Sequence, residues 1–315
     1  MQNIFIIIGK ILELAVLVGC GLIARRFNMM SDEGEKDLSK LLVDFFWPAS
    51  IFYSIVTGLT PQVIAANWLL PISAVLTAFT GLFIAQAFLK VSKFEGDRKK
   101  IYLYHASVNN FVFMVIPFAV LFLGERGKGL LFLHNLGYIV FLWTVGVAQL
   151  KDGKDTTPLY KRLLTPGLVA TIAGVAVVLS GLSPHIPNYV MSLIGTIEKP
   201  VLVVAMLIAG SRIYTLGFKA LKFDSWNIQI GFIRLVLVPG ILLLLSVLLK
   251  PLLKPEILII FMLVNVTPVS LNSISLAHKY HSSPELAAEG VVFTHVFGII
   301  TMPIFIYLVQ VIFGL

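Results

Sequence analysis

The sequence predicts an all-α membrane protein with ten transmembrane helices arranged as two inverted repeats of five. The chain is 58% hydrophobic and only 13% charged, whereas soluble domains carry about 25% charged residues. Apolar runs long enough to cross about 30 Å of hydrocarbon recur along its length. Two of these runs are interrupted by proline and polar side chains at matching positions. This composition argues against a soluble globular enzyme.

The apolar runs, numbered as spans 1 to 10, are separated by short connections that contain Pro, Gly or charged residues. None of these connections is long enough to form a soluble domain. We therefore expect two sequence repeats, residues 1–150 and 157–315, with five spans each. The spans fall at residues 4–24, 39–58, 67–89, 101–123, 129–149, 163–182, 189–211, 228–249, 256–277 and 286–313.

Lysine and arginine residues predict the orientation in the membrane. The loops after the odd-numbered spans hold seventeen of them, and the loops on the opposite side hold four. Because basic loops stay in the cytoplasm, both termini are expected outside it, in the inner or plasma membrane of the cell. Topology thus explains the net charge of +8 better than a nucleic-acid partner does. The single cysteine, Cys20, allows no intrachain disulfide or metal–thiolate cluster.

Matching prolines indicate an internal repeat. Pro48 and Pro200 are 152 residues apart, and Pro117 and Pro268 are 151 apart. This offset aligns spans 1–5 with spans 6–10 in the sequence. Because five is odd, the two halves must cross the membrane with opposite orientation, as in the inverted repeats of secondary transporters.

Spans 4 and 9 carry polar residues where a transmembrane helix would be apolar. Proline lacks an N–H group, and the ring of Pro268 is expected to clash with the carbonyl of Val264. Broken helices persist at membrane depth only where protein buries them or water reaches them. A matched pair of interrupted spans points to the binding site of a secondary transporter. The polar residues near these prolines are Asn109, Asn110, Asn265, Ser270, Asn272 and Ser273.

Half-helix ends supply charge at such a site, because free N–H groups carry partial positive charge and free carbonyls partial negative charge. Two interrupted helices that cross at mid-membrane would place an anion site beside a cation site. We predict that Asn110, Asn265 and Asn272 bind substrate or ion, with Asn109, Ser270 and Ser273 as further candidates. The alternative is that these side chains only satisfy the broken backbone.

Ionisable residues within the spans are further candidates. Arg234 is a basic residue of span 8 able to hold an anion, although snorkelling to the interface is the simpler explanation. His105 and His295 are candidate proton carriers, although a histidine bonded to a backbone carbonyl is commoner. Lys10 and Glu13 are one turn apart and are expected to pair. Span 5 contains no Asp or Glu, so proton antiport through buried carboxylates is unsupported.

Two segments carry a resemblance to a known family. SVNNFVFMVIPFAVLFLGERG (107–127) resembles the N-x-x-x-x-G-I/L-P-L-L…G stretch of the auxin efflux carrier family. Asn110 and Pro117 have the family spacing, and Val115 replaces the usual glycine. Residues 267–306 resemble the second crossover and the last helix, with Pro268, the Ala-x-x-Tyr exit, the Pro-Asp/Glu-Leu opening and Pro303.

The resemblance implies a fold like that of bile-acid symporters and sodium–proton antiporters. In that fold, helices 1, 2, 6 and 7 form a scaffold, and helices 3–5 with 8–10 form a transport domain around crossing helices 4 and 9. The family includes plant auxin carriers and bacterial permeases assigned to malate and malonate. It also implies homodimerisation through the scaffold.

The sequence therefore favours a carrier that moves a small organic anion, in particular a carboxylate, by alternating access. Its site would lie between the crossover and the scaffold, with Ser50 and Tyr53 of span 2 facing it. No cofactor or metal is expected, and Na⁺ or H⁺ remains open as the coupling ion. The alternatives are a cation transporter, or a sensor or channel, on the same fold. An intramembrane enzyme would need a catalytic motif such as HExxH or GxSxG, and the sequence has neither.

Overall fold

A computed structural model describes residues 4–111, 113–151 and 157–314. Within these ranges the secondary structure is helical, apart from turns and one isolated antiparallel bridge between Asn109 and Val269. The predicted all-α class is therefore confirmed for the described part of the chain.

The helices follow one another in the order of the predicted spans. In the first half they are α1 (Ile4–Arg26), α2 (Asp32–Gly58), α3 (Pro61–Ser92), α4 (Gly96–Ser107), α5 (Ile116–Leu123) and α6 (Glu125–Leu150). In the second half they are α7 (Pro166–Leu179), α8 (Asn188–Leu216), α9 (Ser225–Leu249), α10 (Pro255–Asn265), α11 (Asn272–Lys279) and α12 (Pro284–Phe313). Single turns lie at Leu159–Leu163, Ser183–His185 and Phe218–Ala220.

Helix starts follow local sequence signals. The side chains of Ser31, Thr60 and Ser283 each accept a hydrogen bond from a backbone N–H of the first turn. Such caps satisfy N–H groups that have no intrahelical partner. Thr165 and Asp224 do the same for α7 and α9.

Seven of the described helices are long and apolar enough to cross a membrane, namely α1, α2, α3, α6, α8, α9 and α12. The apolar helices α7 and α10 are shorter. Large apolar side chains lie exposed on the outer surface, such as Phe5 at 71%, Leu244 at 68% and Leu248 at 72%. In a soluble monomer so much exposed apolar surface would be unusual, whereas lipid would cover it. The full count of ten crossings stays a prediction.

Helix α8 contacts both α1 and α2, and α2 also contacts α7. We refer to α1, α2, α7 and α8 as the first helix group and to α3–α6 with α9–α12 as the second. Helices α1 and α8 approach each other closely at two glycines. A Cβ on Gly21 would collide with the carbonyl of Leu207, and a Cβ on Gly210 would collide with that of Val18. The two groups meet where α2 contacts α6 and where α1 contacts α12.

Candidate functional site

The site begins where the chain leaves the helix between α4 and α5 and between α10 and α11. Residues 108–111 and 266–271, called the paired segments, lie side by side. Asn110 N donates to Pro268 O over 2.8 Å, and Ser270 N donates to Val108 O over 3.2 Å. Each segment thus satisfies part of the other's backbone, which buried polar groups require.

Two of the predicted asparagines are used by the protein itself. Asn109 Nδ2 donates to Val264 O over 2.7 Å, and Asn265 Nδ2 donates to Phe261 O over 2.6 Å and to Thr77 Oγ1 over 3.0 Å. Both side chains are fully buried. Tyr138 supports the same region, since Asn109 N donates to its hydroxyl over 2.6 Å. The structure therefore places these two amides on the interrupted backbone.

Arg234 does not snorkel to the interface, and that explanation is wrong. Its side chain is fully buried. Arg234 Nη2 donates to Asn265 O over 2.8 Å, and Nε donates to Thr267 O over 3.1 Å. The guanidinium thus lies at the carbonyl end of α10, where the helix dipole is negative.

A cavity of about 400 Å³ lies beside the paired segments. Its walls come from α1, α8 and α12 and are almost entirely apolar, with Leu14, Val18, Met206, Ile213, Val296 and Met302 among the lining residues. Asn110 of the first paired segment and His295 of α12 also line it. Ligand sites in proteins commonly combine such apolar walls with a few polar groups.

Asn110 and His295 line this cavity, and each has a polar group that no described residue hydrogen-bonds, although His295 Nε2 itself is buried. No described residue hydrogen-bonds the carboxamide of Asn110, and the residue as a whole is 8% exposed. His295 Nδ1 lies 2.8 Å from Val291 O. Because a carbonyl cannot donate, Nδ1 carries the hydrogen, which leaves Nε2 with no partner among the described residues. Nε2 accepts a hydrogen bond when the ring is neutral and donates one when it is charged.

The remaining candidates lie near the cavity or away from it. Ser270 Oγ accepts from Asn272 N over 3.3 Å, and the side chain of Asn272 is exposed at the start of α11. Ser273 is buried behind it, and no described residue bonds its hydroxyl. His105 is buried close to Gly290 and Trp226. Pro117 lies in the first turn of α5.

Ser50 and Tyr53 are not among the residues that line the cavity. Ser50 Oγ donates to Glu198 Oε2 over 3.0 Å, and the ring of Tyr53 packs against Gly195. The structure therefore directs both side chains towards the first part of α8. Among the predicted site residues, Asn110 and His295 do line the cavity.

Sequence reasoning missed a charged contact between α6 and α8. Lys128 at the start of α6 pairs with Glu198 of α8 over 2.8 Å, and both side chains are largely buried, at 12% and 14% exposed. The available signal was that Lys128 and Glu198 carry opposite charges on the same predicted side of the membrane. The sequence alone does not show how α6 and α8 are aligned, so it could not pair these two residues.

Long apolar helices, two facing interruptions and a cavity with few polar groups are features of a membrane carrier. Comparison with known families agrees, since a family model described as "membrane transport protein" matches residues 6–306. The chain belongs to this family, the auxin efflux carrier family of membrane transport proteins, and is an integral multi-pass membrane protein. No curated protein matches the chain.

Proposed function

We propose that the chain is a carrier for an organic monocarboxylate with an apolar body. The observation that carries this proposal is that Asn110, whose carboxamide no described residue hydrogen-bonds, lines an otherwise apolar cavity. The Asn110 amide would donate to the carboxylate, His295 would lie beside it, and the walls would cover the apolar part. A second carboxylate on the substrate would be left without polar partners in such a cavity, which is costly.

Alternating access would come from the motion of one helix group against the other. The scaffold would consist of α1, α2, α7 and α8, and the transport domain of α3–α6 and α9–α12. Helices α4 and α5, and likewise α10 and α11, would be the halves of two crossing helices in a ten-helix inverted repeat. The antiparallel contact of the paired segments supports this arrangement, and so does the cavity, whose walls come from both groups.

The lining residues of the cavity support an inward-facing state. They follow α1 as far as Leu22, before that helix ends at Arg26, and they reach Gly217, directly after α8. By the charge rule this end faces the cytoplasm. In the proposed state, the Lys128–Glu198 pair towards the other end of α8 would close the outer side. The proposal therefore describes an inward-facing carrier of the cell membrane with both termini outside the cytoplasm, and it retains the homodimer that the family implies.

The direct test is a thermal-shift series on detergent-purified protein. We expect apolar monocarboxylates to raise the melting temperature in a saturable way and dicarboxylates of similar size to have less effect. Binding to the native state contributes about 2.7 kcal/mol at a hundredfold excess over Kd. We expect Asn110→Ala to abolish the shift and Asn272→Ala, which alters an exposed asparagine, to retain it.

Three results would count against this assignment. Equal loss of the shift in Asn272→Ala would place the carboxylate at the start of α11 instead of in the cavity. A preference for dicarboxylates would contradict the role of the apolar walls. A response to Na⁺ or pH without any response to organic anions would support a cation transporter on the same fold.

A further inference from the structure

We propose that Arg234 is a built-in cation of the carrier, which takes the position of a coupling cation at the carbonyl end of α10. This inference rests on the proposed carrier function. It implies that the protein binds and moves its organic anion without Na⁺. It also assigns to Arg234 the positive charge that favours an anion in the neighbouring cavity.

The first step concerns the carbonyls themselves. The last carbonyls of a helix have no intrahelical partner and carry partial negative charge. In carriers with discontinuous helices, such carbonyls and the unwound ones beyond them coordinate Na⁺ or H⁺. Residues 264–268 hold the equivalent carbonyls in this chain, at the end of α10 and in the second paired segment.

The second step is that protein donors occupy these carbonyls. The Arg234 guanidinium donates to those of Asn265 and Thr267. The Val264 carbonyl accepts from Asn109 Nδ2 over 2.7 Å and from Thr267 Oγ1 over 2.8 Å. The Pro268 carbonyl accepts from Asn110 N over 2.8 Å. A sodium ion would have to displace these donors, and with them a fixed positive charge that repels it.

The third step concerns charge balance. Arg234 is fully buried, and no carboxylate among the described residues forms an ion pair with it. A buried charge persists only when other groups compensate it, and here the carbonyl end of α10 does so. Because partial charges compensate it incompletely, the positive charge still acts on its surroundings. Arg234 Nε donates a hydrogen bond to the carbonyl of Thr267. The carbonyl of the next residue, Pro268, accepts one from the backbone N–H of Asn110, which lines the cavity.

The alternative role is a purely structural one, in which Arg234 only donates hydrogen bonds to the broken backbone. The two roles differ in what a neutral donor can replace. A glutamine retains N–H donors but removes the charge, whereas a lysine retains the charge with fewer donors. If the charge is what matters, the lysine variant should behave like the native protein, and the glutamine variant should bind a cation from solution.

The experiment measures the melting temperature of the full-length protein in detergent with no organic anion present. NaCl replaces choline chloride stepwise at constant ionic strength. We expect no Na⁺ response from the native protein or from Arg234→Lys. We expect Arg234→Gln to melt lower and to be stabilised by Na⁺ with a saturable dependence. Arg126→Gln is the matched control, because Arg126 pairs with Glu256 away from the paired segments, and it should show no Na⁺ response.

Saturable Na⁺ stabilisation of the native protein would overturn the inference, and this measurement needs no variant to fold. A folded Arg234→Gln that ignores Na⁺ would also overturn it and would leave the structural role. The carrier proposal is judged separately by its carboxylate shift. A sodium-responsive native protein that still binds carboxylate through Asn110 would remove only the role given to Arg234.

Discussion

At the scale of single residues, two adjacent asparagines have different environments. Asn109 is fully buried and its amide donates to Val264 O, whereas the amide of Asn110 reaches the cavity without a partner among the described residues. The sequence ranked Asn110 above Asn109, but no local pattern showed which of the two amides faces the cavity, since both lie in the same interrupted span. The distinction depends on which side of the extended backbone faces α10, and only the tertiary contact sets that.

This difference leads to opposite expectations for the two alanine variants. Removal of the Asn109 amide leaves Val264 O with one hydrogen bond fewer, so we expect Asn109→Ala to cost about 1 kcal/mol of stability and to retain carboxylate binding. We expect Asn110→Ala to keep the native melting temperature and to lose binding. Melting curves with and without the carboxylate measure both properties. A loss of binding in Asn109→Ala without a loss of stability would contradict the assignment.

The expected pairing of Lys10 with Glu13 is confirmed. Lys10 Nζ lies 2.7 Å from Glu13 Oε2 on α1. The two side chains are 39% and 53% exposed. The pair is therefore local to one helix and lies outside the cavity lining. This agrees with the interpretation of a neutralised structural pair.

At the scale of elements, proline determines where the helices stop and start. Pro268 was expected to displace the Val264 carbonyl from the helical pattern, and α10 ends at Asn265. That carbonyl accepts from Asn109 and Thr267 instead. Pro117 has a different effect, because it lies in the first turn of α5, where a missing N–H costs no hydrogen bond. The two matching prolines thus differ in position, since Pro117 lies within α5 and Pro268 lies inside the second paired segment.

Glycine spacing on α1 provides a test of the packing between helices. A Cβ on Gly21 would collide with the backbone of Leu207, whereas a Cβ on Gly19 meets nothing within 4 Å. We expect Gly21→Ala to lower the melting temperature strongly, because backbone atoms must move. We expect Gly19→Ala to keep or raise it, since alanine is the better helix former by about 1 kcal/mol. Similar melting temperatures for the two variants would contradict the close α1–α8 contact.

At the scale of the whole molecule, an ion pair joins the two helix groups. Lys128 belongs to α6, and Glu198 belongs to α8 and also accepts from Ser50 of α2. In a pair largely shielded from water, desolvation offsets much of the attraction, but removal of one partner is costly because it leaves a charge without compensation. In the proposed mechanism it must break before the cavity opens to the outside.

We therefore expect Lys128→Glu to favour the outward-open state. The readout is a cysteine introduced at Met206, in the wall of the cavity, in a Cys20→Ser background. An impermeant thiol reagent added from the outside should label it faster in Lys128→Glu. The double variant Lys128→Glu with Glu198→Lys should restore slow labelling. Unchanged labelling in the single variant would show that this pair does not control opening.

The sequence by itself determined the helical class, the order of the helices, their caps and the two interruptions. These features depend on local hydrophobicity, on proline chemistry and on capping residues, which act within a few positions along the chain. Only the tertiary structure decided which polar groups remain free. Long-range packing pairs Asn265 with Thr77, Ser50 with Glu198, and Arg234 with the carbonyl end of α10. The same packing places Asn110 and His295 in the lining of the cavity. Such partners depend on helix packing and rotation, which no local pattern specifies.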